Sequence, residues 1–309
     1  MIKKVFAQHF SWFWHPKVKP LKRRAARAMK HLQPIQNNTS RIKPKDRLLM
    51  TVGRDDNPRI PYFLEYYRKL GINHFLFVDH MSESPMADIL VGQDDVSIWR
   101  TEQNDSDAGS GVDWINALLS RYAVSHWVLT VDLDEFFVYP FMESRSFDDL
   151  LAFHDDIEKP CMFTMQVDMY PEGLIASNQV PIGESPLKYA PFFDRDGYLQ
   201  SKGNDLETCV RGGPRMRMLQ ATTTDHLPLL NKTPLIKWRA RYAYSNRTHV
   251  AFPPLLNMAH QKYHVPTGAL LHFKLKELEG YVLYGSNSAR YIGSQSLVEA
   301  NLMTPGGWK

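Results

Sequence analysis

Residues 113–135 read DWINALLSRYAVSHWVLTVDLDE, and this stretch decides the fold. Apolar residues at helical spacing predict a helix over 113–124, N-capped at Gly111 or Asp113. Trp127–Val131, WVLTV, is a short apolar run of the length and β-branched content of a buried strand. It ends directly in Asp132-Leu133-Asp134-Glu135. A helix followed at once by a buried strand is half of a βαβ repeat.

Working toward the start of the chain, the same alternation recurs. Residues 96–99 read as a strand, 86–91 as a short helix, and His74–Val78, HFLFV, as a strand ending at Asp79. Residues 59–70 carry Phe63, Tyr66, Tyr67 and Leu70 on one helical stripe, and Gly71 ends it. RLLMTV, 47–52, is a strand followed by the turn Gly53-Arg54-Asp55-Asp56. Strands alternating with helices predict an α/β fold, a doubly wound, mostly parallel sheet with helices on both faces. Ligands bind beyond the carboxyl ends of such strands. Arg54, Asp79, Asp132 and Asp134 all stand at predicted strand ends, so they are expected on one rim. Beyond the motif, 161–167, 235–244 and 269–275 read as strands, and 172–210 as loop-rich.

Charge divides the chain unevenly. Residues 1–47 hold 13 Lys/Arg against one acid, Asp46, a net +12, and the other 262 residues hold 24 bases and 32 acids, a net −8. The expected organisation is a basic, aromatic arm and linker over 1–46, then a catalytic domain over 47–309. Phe6, Phe10, Trp12, Phe13 and Trp14 precede Lys22, Arg23, Arg24 and Arg27. Aromatic anchors beside a polybasic stretch suit an anionic membrane surface; the alternative is an arm packed on its own body or on a second subunit. The mildly acidic body argues against a nucleic-acid partner. No run of about 18 apolar residues is present to span a bilayer. Two cysteines, Cys161 and Cys209, make no disulfide framework and fit a reducing cytoplasm.

Asp132 and Asp134 are two apart on extended backbone, so their carboxylates share one side. There they can reach one hard cation, Mg²⁺ or Mn²⁺, of the kind that bridges protein carboxylates to phosphates. Three carboxylates so close together repel unless a cation or base lies between them. Asp168, after the strand MFTMQV, is the choice of general base; otherwise it is a turn acid before Tyr170-Pro171. Arg215, after Gly212-Gly213-Pro214, lies with Arg217 in a tight turn that could present cations to a diphosphate or an acidic acceptor; otherwise it is an ordinary hairpin. Lys274 could meet a phosphate. His272 lies in the apolar GALLHFK, where a histidine is otherwise a core residue.

Three stretches carry a family resemblance. They are PYFLEYYRKLGINHFLFVDHMSES (61–84), GVDWINALLSRYAVSHWVLTVDLDEFFVYP (111–140), and GGPRMRML (212–219) with PLIKWRARYAYSNRTHV (234–250) and GALLHFK (268–274). Together they resemble the bacterial family-2-like glycosyltransferases of the GT-A fold over about residues 47–275. The resemblance implies that Asp132 and Asp134 hold Mn²⁺ or Mg²⁺ against the diphosphate of a nucleotide-sugar. It implies Asp79 at the nucleoside, Arg54 near the nucleotide, and His272 as a third metal ligand. The implied reaction moves a sugar from a UDP-linked donor to a glycan or lipid-linked acceptor with inversion, on the inner face of the cytoplasmic membrane. The family segment V-D-N-x-S-x-D-G reads here Val78-Asp79-His80-Met81-Ser82-Glu83-Ser84, without the asparagine and second aspartate. Two other readings stand beside it. A haloacid-dehalogenase-type phosphatase also places D-x-D after an apolar strand, but Phe136 stands where that type has Thr or Val. A non-catalytic carbohydrate-binding scaffold would need no metal.

Overall fold

The computed structural model describes residues 15–174, 180–219, 227–258, 265–274, 282–283 and 287–308. The protein is α/β, with a large mixed, mostly parallel sheet. Its strands are β1 (Gln33–Gln36), β2 (Leu48–Gly53), β3 (His74–His80), β4 (Val96–Thr101), β5 (Trp127–Thr130), β6 (Glu135–Val138), β7 (Cys161–Asp168), β8 (Asn231–Lys237) and β9 (Gly268–His272). Their order is β1-β4-β3-β2-β5-β8-β7-β9-β6. The chain forms two compact units, and β8 contributes to both.

The first unit comprises the chain to Asn57, Ile72–Val131 and Thr233–Asn257. β2, β3 and β4 are parallel neighbours, and β5 joins β2 in parallel. β2 to β5 are apolar and almost wholly buried, as strands covered on both faces must be. Helices α1 (Val18–Ala28) and α3 (Val112–Tyr122) belong to this unit, with α3 N-capped by Gly111 at φ +82°. The side chain of Asn116 on α3 donates to Tyr244 O and accepts Tyr244 N–H, both at 2.8 Å, so a buried amide substitutes for a strand neighbour.

Residues 18–36, in the expected arm and linker, fold into this unit, as the alternative of an arm packed on its own body has it. Leu21, Ala25 and Ala28 form the buried face of α1, and Leu21 packs with Ala243, Val250 and Phe252. Arg24 Nε is 2.9 Å from Asp113 Oδ2 on α3. The polar QPIQ is not linker but β1, antiparallel to β4. Its ladder hydrogen bonds come from backbone, which is why its side chains gave no strand signal. Residues 1–14, with the five aromatics of the arm, lie outside the described residues.

The second unit comprises Pro58–Gly71, Asp132–Lys232 and the chain from Met258. β9 pairs β7 in parallel and β6 antiparallel. Helix α2 (Ile60–Leu70) ends at Gly71, φ +111°, whose N–H returns to Tyr67 O and Arg68 O. It packs its aromatic stripe on Phe136: Tyr66 edge-on at 5.1 Å, Tyr67 stacked at 6.2 Å. Tyr67 Oη also donates to Glu135 O at 2.8 Å and accepts Phe137 N–H at 3.1 Å, which fixes the start of β6. Helix α4 (Phe147–Asp156) opens with a capping box between Ser146 and Asp149.

The strand expected over 235–244 is two strands, Asn231–Lys237 and Ala243–Asn246. The strand expected over 269–275 stops at His272. Among the described residues no helix is long and apolar enough to cross a membrane.

Candidate functional site

β7 and β9 run in parallel with His272 opposite Asp168, and β9 and β6 run antiparallel with His272 opposite Glu135. Residues directly opposite on neighbouring strands project to the same face. One row across three strands of the second unit therefore carries Asp168, His272 and Glu135. Asp132 and Asp134 lie in the turn that leads into β6, and Glu135 N–H closes it on Asp132 O at 3.1 Å.

His272 Nδ1 is 2.8 Å from Asp168 Oδ1, and its Nε2 is 3.8 Å from Asp134 Oδ2. Burial would lower the His272 pKa, but the charge of Asp134 and the hydrogen bond with Asp168 outweigh it, and the net shift is upward. Arg215 binds the far side of Asp168, Nε to Oδ2 at 2.8 Å and Nη2 to Oδ1 at 3.0 Å. Burial works against ionisation of Asp168, yet Arg215 and His272 hold its carboxyl below the usual range.

Arg215 reaches this position through two glycines. A Cβ on Gly212 would lie 2.1 Å from Gly197 O, and Gly213, at φ +65°, turns the chain into the short helix α5 (Pro214–Met218). On that helix Arg217 also grips Asp194, at 2.7 and 2.9 Å, and Tyr170 Oη donates to Asp194 at 2.5 Å. These bonds anchor α5 from the side opposite its Asp168 contact.

Lys232, at the start of β8, supplies the cation that the acidic turn demands. Its Nζ is 3.3 Å from Asp132 Oδ2 and binds Glu135 Oε1, while Glu135 Oε2 accepts Asp132 N–H at 3.1 Å. The Lys232 and Glu135 side chains are 4% and 1% exposed, whereas that of Asp132 is 33% exposed. Burial alone would strip the proton from Lys232; Glu135 and Asp132 reverse this and raise its pKa. Glu135 is raised by burial, which Lys232 only partly offsets.

Asp168, chosen as the base, is buried, with Arg215 and His272 both against its carboxylate. Arg215, expected at the diphosphate, is buried against that same carboxylate. Lys274 lies beyond the end of β9 and is half-buried. Asp132, expected beside Asp134 on one ion, is turned to Lys232. His260 and His264, whose i, i+4 spacing with Pro266 close behind reads in the sequence as a surface or core pair and not a metal site, lie outside the described residues.

The remaining two expected residues belong to the first unit. Gly53 is in register with Asp79, so Arg54 and Asp79 stand at the carboxyl ends of neighbouring parallel strands. Arg54 is largely exposed, 3.5 Å from Asp55. Asp79 is buried; it accepts Ser82 N–H at 3.1 Å and Met86 N–H at 3.0 Å, with Arg100 Nη1 at 3.3 Å. Asp55 Oδ1 accepts Glu83 N–H at 2.7 Å. Asp79 thus shapes the loop after β3, and the Arg54–Asp56 turn is tied to that loop.

The residues missed in the sequence are Lys232 and Arg100; Asp194 reads there as a weaker loop choice for the base and Arg217 as part of the cation-presenting turn, but not as partners. Only Lys232 had a signal, the need for a base among Asp132, Asp134 and Glu135. Phosphates and metals set a further question of fit. Nε2 of His272 and Oδ2 of Asp134 face each other, and ligand bonds to Mg²⁺ or its first-row relatives run about 2.0–2.2 Å. Asp168 holds the other ring nitrogen, as carboxylates do behind metal-binding histidines. An ion held by this pair would need its other ligands from substrate phosphate and water. Among the described residues there is no group of three or more His, Cys, Asp or Glu side chains placed to hold a metal.

No family model and no curated protein matches the chain. Among solved structures it is similar to HddC from Yersinia pseudotuberculosis, at 10% identity and a TM-score of 0.31, over 77% of this chain and 80% of that one. A likeness of that degree carries neither fold nor function to this protein.

Proposed function

We propose that the protein is a GT-A-like glycosyltransferase, moving a sugar from a nucleotide-sugar, UDP-linked, to a glycan or lipid-linked acceptor with a divalent cation, Mn²⁺ or Mg²⁺. One observation carries the reading. Asp134 and His272, 138 residues apart in sequence, face each other at 3.8 Å while Asp168 and Lys232 hold the atoms around them. A cation on Asp134 and His272 would neutralise charge developing on the departing diphosphate. The chain's own residues prepare that place. Asp168, pinned by Arg215, orients the imidazole and keeps Nε2 toward Asp134. Lys232 neutralises Glu135 and holds Asp132, so the acidic turn keeps its shape without substrate. In transfer, the bond from the sugar anomeric carbon to the diphosphate breaks, a bond to the acceptor oxygen forms, and the hydroxyl proton leaves to a base.

The experiment is a calorimetric screen of nucleotide-sugars with and without Mn²⁺, followed by assay of nucleoside diphosphate release. Mn²⁺-dependent binding of one donor is expected. Release of inorganic phosphate from simple esters would assign a phosphatase instead, and absence of any nucleotide binding would leave the scaffold reading.

A further inference from the structure

The basic residues of α1 divide into two sets. Lys22 and Arg24 turn inward. Lys22 Nζ donates to Ser120 Oγ at 2.8 Å and lies 5.7 Å from the Trp238 ring centre, and Arg24 pairs with Asp113. Lys19, Arg23 and Arg27, with Lys30 just past the helix, are exposed. Positions 19, 23, 27 and 30 recur at helical spacing, so they form one stripe. The stripe cannot turn inward, because Leu21, Ala25 and Ala28 bury the opposite side. No acidic residue occurs before Asp46 to neutralise it locally.

We infer that this outward face of α1 docks on an anionic lipid bilayer, with Lys19, Arg23, Arg27 and Lys30 meeting headgroup phosphates. The choice of a bilayer over a nucleic acid rests on the adjoining sequence. FAQHFSWFW, residues 6–14, holds five aromatic residues in the sequence just before Lys19. Phe and Trp gain energy at a bilayer interface, and an aqueous phosphodiester duplex offers them no such medium. The net −8 of residues 48–309 is repelled by the same bilayer, which confines contact to this face and makes it salt-sensitive. The inference stands apart from the sugar-transfer reading.

The test is co-sedimentation of the full chain with vesicles of about 30% phosphatidylglycerol in phosphatidylcholine, where each basic residue near the surface strengthens partitioning about fivefold. The variant Lys19→Gln, Arg23→Gln, Arg27→Gln, Lys30→Gln should then partition several-hundred-fold more weakly, by about 5⁴, with an unchanged thermal melt. Wild-type protein should ignore pure phosphatidylcholine and leave the anionic vesicles as NaCl rises from about 0.05 to 0.5 M. Unchanged partitioning of the variant, or equal binding to neutral vesicles, would overturn the inference. So would retention of duplex DNA by a wild type that ignores both vesicles. If the variant melts early, the salt series on wild type decides, and binding that survives high salt refutes the assignment.

Discussion

Lys232 Nζ stands 3.3 Å from Asp132 Oδ2, a carboxylate 100 residues earlier in the chain, and reaches Glu135 from the same position. Lys232→Met would strand Glu135 in the interior without its cation, which should cost about 3–5 kcal/mol. Adding Glu135→Leu should restore most of that loss, because a buried pair replaced by apolar groups is near neutral. Urea denaturation of the single and double variants reads this directly. Equal instability in both would show that the pair does not hold the turn.

Asp134 and Asp132 should separate in metal binding. Asp134 faces His272 Nε2, while Asp132 is committed to Lys232. Asp134→Asn should weaken Mn²⁺ binding more than about tenfold, the scale on which metal-site partners act. Asp132→Asn should do less. A Mn²⁺ titration by calorimetry on both variants decides, and wild-type affinity in Asp134→Asn would remove that carboxylate from the site.

Asp79 should govern the loop after β3. It accepts the N–H groups of Ser82 and Met86. In Asp79→Ala, hydrogen exchange at those two amides should speed by at least about tenfold as their acceptor disappears. Amides within β3 should keep their protection. Unaltered exchange at Ser82 and Met86 would return Asp79 to a role in ligand contact alone.

His154 on α4 should make stability pH-dependent. Burial holds its pKa down to about 4. Its unfolded value is about 6.5, so below that pH the unfolded chain takes up a proton that the folded chain refuses. The full contribution is present above about pH 6.5 and is lost as pH falls toward 4. Between about pH 6.5 and 5 the loss should be about 2 kcal/mol. Urea denaturation at both pH values, on wild type and His154→Leu, isolates it: the variant should lack this increment. An identical pH slope in the two proteins would contradict the assignment.

The first unit was legible because its strands announce themselves. β2 to β5 fall within two residues of their expected bounds, being apolar runs punctuated by Gly53, Gly71 and Gly111. β1 was illegible because three of its four side chains are exposed and its stability lies in backbone pairing. The strand ends of the site were found, but not what they hold. Asp79 and Asp168 were placed at the right ends of their strands, yet both carboxylates face inward to protein donors. No periodicity encodes a partner 47 residues away, such as Arg215 for Asp168. Lys232 was foreshadowed only as an unmet need for positive charge.

The insertion of β9 between β7 and β6 bears on how the molecule is made. Those two strands emerge from the ribosome well before residues 268–272, so each waits with an unpaired edge. Unpaired edges template pairing between chains. The pairing of Glu135 with His272 closes 137 residues, a separation that slows folding. The nascent chain is therefore most prone to aggregate in the interval before β9 is synthesised. Stalling translation there should expose it to holdase chaperones, and a strand-mimicking peptide copied from Gly268–His272 should compete for the open slot.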